Sequence, residues 1–477
     1  MSTIAKSASL SAFVRESAIY GVGIALARGL GFLLTPVLAR VFDARDFGVL
    51  DLLQTGGLLA STVLSLSMES ALLRYYQDAT DRAALVSTYL IAQLALGLAF
   101  LVALAAGGLQ LIATYTGFDD HATVLLAAVS VVTGLLYVHA MTVLRAERVA
   151  GHGAAVMAAN AALNVALVTG LLVVAGAHLL LVFLARAVSD AACTVWVTAR
   201  YRRLYAPRFS REWLWRLVRF GVPLAPDGLL TFVSGQLSKL FLLGAGSVAD
   251  VGLLAVATRI ATGLRLILTS FRQAWLPYVF SIAGRPEANA TYATALQGYM
   301  RITLALLSAL VALSPEAVLV IAGERYLAAR PLLGIIGAGV VVVGLPYLFN
   351  IGLLLAEQTR FYTAGLLASA VVVVASGWLL VGWYGVFGAA WASVLGGLTL
   401  TGSVLFFAQR ARPIPYDVRR LGLFIVLVLA LAALGTAGVE RVPILVRALL
   451  LALVGGALLK DVGIRSLVER WSARRTA

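Results

Sequence analysis

Seven basic side chains of this 477-residue chain lie within long apolar stretches: Arg28, Arg186, Lys239, Arg259, Arg265, Arg272 and Arg301. A charge at the centre of a membrane-spanning helix costs about 2.5–3.5 kcal/mol on insertion scales, so such residues are candidates for function. The acidic residues that we count in the same stretches are Asp190, Asp227 and, near a helix end, Glu69. A cavity with this surplus of positive charge would attract an anionic group such as a pyrophosphate.

Arg28 and Arg265 are the first candidates for lining such a cavity, because each lies deep in its apolar stretch. Arg259 lies six residues before Arg265, so both can line one cavity only if the helix bends or the cavity is wide. Arg272 lies near a membrane boundary, and Lys239 lies in the outer third of its stretch. For these two, binding the anion and extending to the lipid headgroups remain alternatives.

Other polar residues within the spans have a functional and a structural interpretation. Asp227 follows two prolines, which free backbone carbonyls, so it is a candidate site for a coupling proton or sodium ion; the alternative is a pair with a nearby arginine. Asn160 could bind the sugars of a substrate or join two helices by hydrogen bonds. Arg186 and Asp190 are four residues apart on one helix face, which favours a structural salt bridge.

Composition indicates which solvent surrounds the chain. Charged residues make up 12% of it, against about 25% in soluble domains. Hydrophobic residues make up 61%, and the mean hydropathy is +0.95. A bilayer accepts apolar outward faces, whereas water does not. The net charge of +15 does not indicate nucleic-acid binding, because the arginines form short clusters between apolar stretches; anionic membrane lipids are the expected partners.

Fourteen stretches are long and apolar enough to span a bilayer. They lie near residues 17–40, 47–72, 84–112, 122–144, 154–175, 178–199, 218–243, 250–276, 295–314, 331–355, 361–381, 385–408, 421–438 and 443–460. The sequence therefore predicts an all-α integral membrane protein with about fourteen transmembrane helices.

The distribution of basic residues predicts the orientation of these helices. With the N-terminus inside, the inner loops and termini carry 24 of the 37 Lys and Arg residues, and the outer loops carry 6. Inner loops of membrane proteins are enriched in Lys and Arg. Both termini are thus predicted to lie in the cytoplasm.

Two halves of the chain correspond to each other. Three pairs of segments match in order: 20–22 with 220–222, 46–50 with 250–254, and 144–147 with 354–357. Six helices per repeat place both copies in the same orientation, which predicts a pseudo-two-fold axis along the membrane normal. We assign an N-terminal six-helix lobe to residues 1–204 and a C-terminal six-helix lobe to 205–412. Residues 413–477 add two helices and a basic tail.

Short motifs recur at the helix ends: Tyr20-Gly21-Val22-Gly23, Pro36, Leu38-Ala39-Arg40, Phe47-Gly48-Val49, the segment 67–76 (SMESALLRYY), Phe220-Gly221-Val222-Pro223-Leu224 and Asp250-Val251-Gly252. With the helix count, the duplication and the loop lengths, they resemble the Wzx-type lipid-linked oligosaccharide flippases of the MATE/MOP superfamily. The resemblance covers nearly the whole chain, although its motifs are short and shared among branches.

This resemblance implies a bacterial inner-membrane flippase that moves an undecaprenyl-pyrophosphate-linked oligosaccharide from the inner to the outer leaflet. It also implies the polymerase and chain-length proteins of a polysaccharide pathway as partners. No cofactor is expected, and energy would come from a proton or sodium gradient or from the membrane potential. Arg28, Arg265, Arg259, Lys239, Arg272 and Asn160 would bind the substrate, with Asp227 as the coupling residue.

Other functions remain as alternatives. Lipid II flippases also have fourteen helices, whereas multidrug exporters of the superfamily have twelve. A membrane glycan ligase or polymerase is the enzyme alternative, but the outer loops are short, and the sequence contains no nucleophile elbow, metal cluster or phosphate-binding glycine loop that we recognise. A channel is a third class, although no selectivity-filter sequence is found.

Overall fold

The computed structural model describes residues 2–205, 208–245 and 248–436. Within these ranges the chain forms seventeen α-helices and no strand. The helices are α1 (Ser2–Val41), α2 (Ala44–Ser65), α3 (Met68–Tyr75), α4 (Arg82–Ala103), α5 (Leu109–Thr116), α6 (His121–Ala146), α7 (Ala150–Ala175), α8 (Leu179–Arg200), α9 (Arg211–Gly221), α10 (Ala225–Gly244), α11 (Val248–Ile282), α12 (Ala288–Ala312), α13 (Ser314–Ile321), α14 (Arg330–Gly344), α15 (Pro346–Leu355), α16 (Arg360–Ala411) and α17 (Val418–Thr436).

The predicted all-α membrane fold is confirmed. Twelve helical stretches of the described residues are long and apolar enough to cross a membrane. One of them, α16, covers the two predicted spans 361–381 and 385–408. The chain leaves the helical conformation where these two spans meet, at Gly385 (φ 54°, ψ −128°). The fourteenth predicted span, near 443–460, lies outside the described residues.

Polar residues at the loops fix where several helices begin. The carboxylate of Asp43 accepts a hydrogen bond from the backbone nitrogen of Asp46 at 2.8 Å, at the start of α2. Asp81 does the same for Ala84 at the start of α4, at 2.9 Å. Each bond satisfies an amide that the first turn of a helix leaves without a partner. The hydrogen bond from Ala84 is also the largest cause of a lowered pKa at Asp81.

Two predicted helices are each broken into two. The stretch 47–72 forms α2 and α3, separated by Leu66 and Ser67 in left-handed conformation (φ 46° and 51°). The stretch 331–355 forms α14 and α15, which divide at Pro346. Proline has no amide hydrogen to donate to the carbonyl of Val342, four residues earlier. That carbonyl accepts hydrogen bonds from the backbone nitrogen of Leu345 at 3.1 Å and from the hydroxyl of Thr401 at 3.0 Å.

The chain divides into two compact units, Met1–Ala255 and Val256–Ala477, and α11 crosses the boundary. In the first unit, α1 packs on α7, α6 packs on α8, and α2 contacts both α6 and α10. In the second unit, α14 packs on α16 and α17. The assignment of lobes to 1–204 and 205–412 stays a prediction.

The starts of α2 and α11 meet through backbone contacts within the first unit. A Cβ atom on Gly48 would collide with the carbonyl oxygen of Val248, and one on Gly252 would collide with that of Ala44. The contact is reciprocal, because Gly48 and Gly252 are equivalent in the repeat, as are Ala44 and Val248. A local two-fold relation between two copies of a duplicated segment produces this geometry.

Gly48→Ala is expected to lower the melting temperature of the purified protein, because the methyl group cannot fit against the backbone of α11. Overpacking of this kind costs about 1–3 kcal/mol. Gly56→Ala in the same helix is the matched control, since a Cβ there meets nothing within 4 Å. Thermal unfolding of both variants by intrinsic fluorescence measures the difference. Equal melting temperatures for the two variants would contradict the close approach.

Candidate functional site

Lys239, a predicted substrate-binding residue, forms a buried ion pair in the first unit. Its Nζ lies 2.8 Å from Oδ2 of Asp51, so the pair joins α10 to α2. The two side chains are 9% and 11% exposed. Each charge has lost most of its water and depends on the other for compensation. Any contact between Lys239 and an anionic substrate would therefore compete with Asp51.

The acids counted from the sequence within the spans omit Asp51, so that count is wrong. With Asp51 and with Asp250 at the start of the eighth span, the spans and their ends hold five acids, Asp51, Glu69, Asp190, Asp227 and Asp250, against the seven bases inside the spans. The signal was present, because Asp51 directly follows the motif that opens the second predicted span. Its partner could not be found from the sequence, since the two residues are 188 positions apart.

A second polar network joins α7 to α8. The predicted salt bridge is confirmed, with Nε of Arg186 2.8 Å from Oδ2 of Asp190. The Asp190 side chain is fully buried, while that of Arg186 is 51% exposed. Asn160 donates its amide hydrogen to Oδ1 of Asp190 at 2.9 Å, and Asn164 donates to Oγ of Ser189 at 3.2 Å. Both asparagines thus connect helices, and a role of Asn160 in sugar binding stays a prediction.

Arg28 lies on an exposed part of α1. Near it, α1 packs closely on α7, where a Cβ on Gly23 would lie 2.7 Å from that of Ala154. At Gly29 and Gly31 a Cβ would meet nothing within 4 Å. Arg28 is therefore exposed on a helix segment with open space beside it, and its role in substrate binding stays a prediction.

Asp227 lies in the first turn of α10, after a short 3-10 segment that contains Pro223. Its side chain is exposed, and its carbonyl accepts a hydrogen bond from the hydroxyl of Thr231 at 2.8 Å. The first turn of a helix favours a carboxylate, because the helix dipole is positive there. The coupling role of Asp227 stays a prediction.

Three predicted binding residues, Arg259, Arg265 and Arg272, belong to the second unit and share α11. Arg265 and Arg272 are exposed, whereas Arg259 is half-buried. Seven residues make two helical turns, so Arg265 and Arg272 lie on one face about 10 Å apart. The guanidinium of Arg272 lies 3.9 Å from the centre of the Tyr347 ring. The ring stabilises that charge by a cation–π interaction, which the sequence did not predict.

Asp51→Ala is expected to destabilise the protein by about 3–5 kcal/mol, because it leaves the Lys239 ammonium buried without its carboxylate. The double variant Asp51→Leu with Lys239→Met should recover most of this loss, since it removes both charges. Thermal unfolding of Asp51→Leu, Lys239→Met and their double variant gives the coupling between the two positions.

Asp78→Ala is the matched control for that cycle. It breaks the Arg74–Asp78 pair, whose side chains are 58% and 67% exposed. Exposed pairs contribute about 0–1 kcal/mol, so this variant should be close to wild type. A single Asp51→Ala variant as stable as Asp78→Ala would contradict the buried pair.

Comparison with known proteins identifies the family and the fold. Residues 37–331 match the sequence profile of a family described as "Polysaccharide biosynthesis protein". No curated protein matches the chain in sequence. Among solved structures, the chain is similar to "Lipid II flippase MurJ, inward closed conformation", with a TM-score of 0.75 and 12% identity over 94% of this chain and 100% of that one.

Two other solved structures of the same superfamily are also similar. A multidrug resistance MATE family transporter in an inward-facing conformation has a TM-score of 0.61 and 15% identity, over 85% of this chain and 95% of that one. A MOP superfamily transporter from Pyrococcus furiosus, with a binding pocket described as of reverse polarity, has a TM-score of 0.58 and 14% identity, over 86% and 97%. At these identities the structures show a shared fold. The family profile matches more than half of the chain, and the chain therefore belongs to the polysaccharide biosynthesis protein family.

Proposed function

We propose that this protein is a flippase that moves an undecaprenyl-pyrophosphate-linked oligosaccharide, the repeat unit of a polysaccharide, across the bacterial inner membrane. The substrate enters from the cytoplasmic leaflet and leaves in the outer leaflet. The family assignment and the transporter fold support this proposal in outline. The charge within the spans supports the anionic headgroup.

The net charge of the residues within the spans is positive, regardless of which of them form ion pairs. Seven bases inside the spans stand against five acids in the spans and at their ends, a surplus of two. Asp51 and Asp190 neutralise Lys239 and Arg186. The other five bases are all arginines, which stay protonated and can hold phosphate oxygens with two parallel hydrogen bonds. An exporter of cationic drugs would be opposed by this surplus.

In the proposed cycle, Arg28, Arg265 and Arg259 bind the pyrophosphate, while Arg272 and Lys239 contact it at other depths. The lipid tail stays in the bilayer and the sugars cross through a hydrated cavity. Alternating access then exposes the headgroup to one leaflet at a time. A proton or sodium gradient, or the membrane potential acting on the anionic substrate, gives the cycle its direction.

Anionic lipids are proposed partners at the predicted cytoplasmic side. A groove at the junction of α3 and α9 is lined by the aromatic residues Tyr75 and Trp215 and the basic residues Arg216 and Arg219. Trp215 is exposed, and Arg216 pairs with Glu212 at 2.6 Å. Aromatic rings beside arginines are typical of the headgroup region of a bilayer.

Liposomes that contain the purified protein and a fluorescent undecaprenyl-pyrophosphate-linked sugar test the function. Wild type should exchange the lipid between leaflets. Arg28→Ala and Arg265→Ala should each slow exchange about tenfold or more, since hydrogen bonds to charged groups contribute about 1.5–3 kcal/mol. Arg74→Ala, which removes an exposed surface arginine, is the control and should match wild type.

The chemical state of the recovered lipid separates the transporter from the enzyme alternative. Mass spectrometry should find the lipid-linked sugar unchanged after exchange. A lengthened glycan or free carrier lipid would favour a polymerase or ligase. Exchange that survives both arginine substitutions would overturn the binding residues, and no exchange of any pyrophosphate-linked glycan would overturn the proposed function.

A further inference from the structure

The break between α2 and α3 exposes backbone carbonyls within the first unit. Leu66 and Ser67 both adopt the left-handed conformation, which costs a residue other than glycine roughly 1–2 kcal/mol. The break leaves the last carbonyls of α2 without partners from a following turn. Gly221 lets the neighbouring backbone approach here, because a Cβ at that position would collide with the carbonyl oxygen of Leu66.

Gln93 of α4 points at these carbonyls and is only 1% exposed. Its terminal nitrogen lies 3.4 Å from the carbonyl oxygen of Leu64 and 3.5 Å from that of Ser65. Both distances exceed the 2.7–3.2 Å of ordinary N–H···O bonds. Within the described part of the chain, the side-chain oxygen of Gln93 has no hydrogen-bond partner. The amide is thus buried with weak bonds on one side and none on the other.

The spacing of these atoms fits a bound cation better than a hydrogen bond. The oxygen and nitrogen of a glutamine amide are interchangeable by rotation about the last side-chain bond. After that rotation the side-chain oxygen of Gln93 takes the place that is 3.4 and 3.5 Å from the two carbonyl oxygens. A hard cation of calcium or sodium size binds oxygens at about 2.4 Å, so ligands at right angles are about 3.4 Å apart.

Glu69, a half-buried residue of α3, supplies negative charge close in sequence to these oxygens. Oε2 of Glu69 is buried and, among the described residues, has no hydrogen-bond partner. Glu69 follows Met68, whose sulfur lies 3.8 Å from the same terminal nitrogen of Gln93. The Glu69 carboxylate also interacts electrostatically with Tyr89, which lies one turn before Gln93 on the same face of α4. The C-terminal end of α2 adds the negative pole of its helix dipole.

We propose that Gln93, Glu69 and the carbonyls of Leu64 and Ser65 bind a sodium ion. One carboxylate with neutral oxygens supplies a single negative charge, which matches a monovalent ion, whereas calcium sites draw their affinity from several carboxylates. The site is separate from Asp227, the coupling residue expected from the sequence. Its existence does not depend on the proposed flippase function, because sodium binding can be measured without transport.

Thermal unfolding of the full-length protein in detergent tests this site. The melting temperature is measured in NaCl, KCl and choline chloride at equal ionic strength. A ligand that binds only the folded state raises stability with the logarithm of its concentration above Kd. Wild type should show such a rise in NaCl alone. Glu69→Gln, which preserves shape, and Gln93→Leu should each raise the apparent Kd for sodium about tenfold or more.

Asp78→Asn is the control, because it removes an exposed carboxylate close in sequence to Glu69, and its response to sodium should equal that of wild type. A melting temperature that responds equally to all three salts would overturn the site. So would a sodium response that both Glu69→Gln and Gln93→Leu retain. A third outcome has two parts: Glu69→Gln in choline chloride is as stable as wild type in NaCl, and acid stabilises wild type in the absence of sodium. This outcome would mean that the Glu69 carboxyl group binds a proton, and the sodium proposal would be wrong.

Discussion

Hydrocarbon offers no hydrogen bonds and screens no charge, so every polar group inside the spans needs a partner from the protein. The described helices meet this constraint in several ways. Lys239 and Asp51 compensate each other across two helices, and Asp190 is held by both Arg186 and Asn160. Near the break at Pro346, the hydroxyl of Thr401 on α16 adds a hydrogen bond to the carbonyl of Val342 on α14. Each of these contacts joins two helices, except the Arg186–Asp190 pair, which lies within α8.

The same constraint is the basis for proposing that the remaining arginines take part in function. Seven bases and five acids cannot neutralise each other completely, and guanidinium groups do not lose their protons in proteins. The surplus must therefore be stabilised by water, by headgroups, by aromatic rings or by an anionic ligand. Arg272 uses the ring of Tyr347. A pyrophosphate headgroup would supply the missing negative charge at the depth where water is scarce, which is why a lipid-linked glycan suits this interior better than a cationic drug.

The sequence predicted the features that depend on local composition. Apolar stretches located the helices, and the i, i+4 spacing of Arg186 and Asp190 predicted their salt bridge. The break at Leu66 and Ser67 was missed, because neither residue type favours a left-handed conformation and the break depends on contacts with distant helices. The partner of Lys239 was missed for a similar reason, since hydropathy does not tell which faces of two helices meet. The predicted binding roles of Arg28, Arg259 and Arg265 remain predictions.

The most direct test of the account is a comparison of two lipid-linked ligands, one with a pyrophosphate group and one without. Binding of an undecaprenyl-pyrophosphate-linked sugar to the purified protein is measured by native mass spectrometry beside the same sugar on a neutral polyprenyl carrier. The account predicts that the pyrophosphate ligand binds at least about a hundredfold tighter, since two charge-assisted hydrogen bonds contribute about 3 kcal/mol or more. Equal binding of both ligands, or preference for the neutral one, would contradict the claim that the basic residues within the spans select an anionic headgroup.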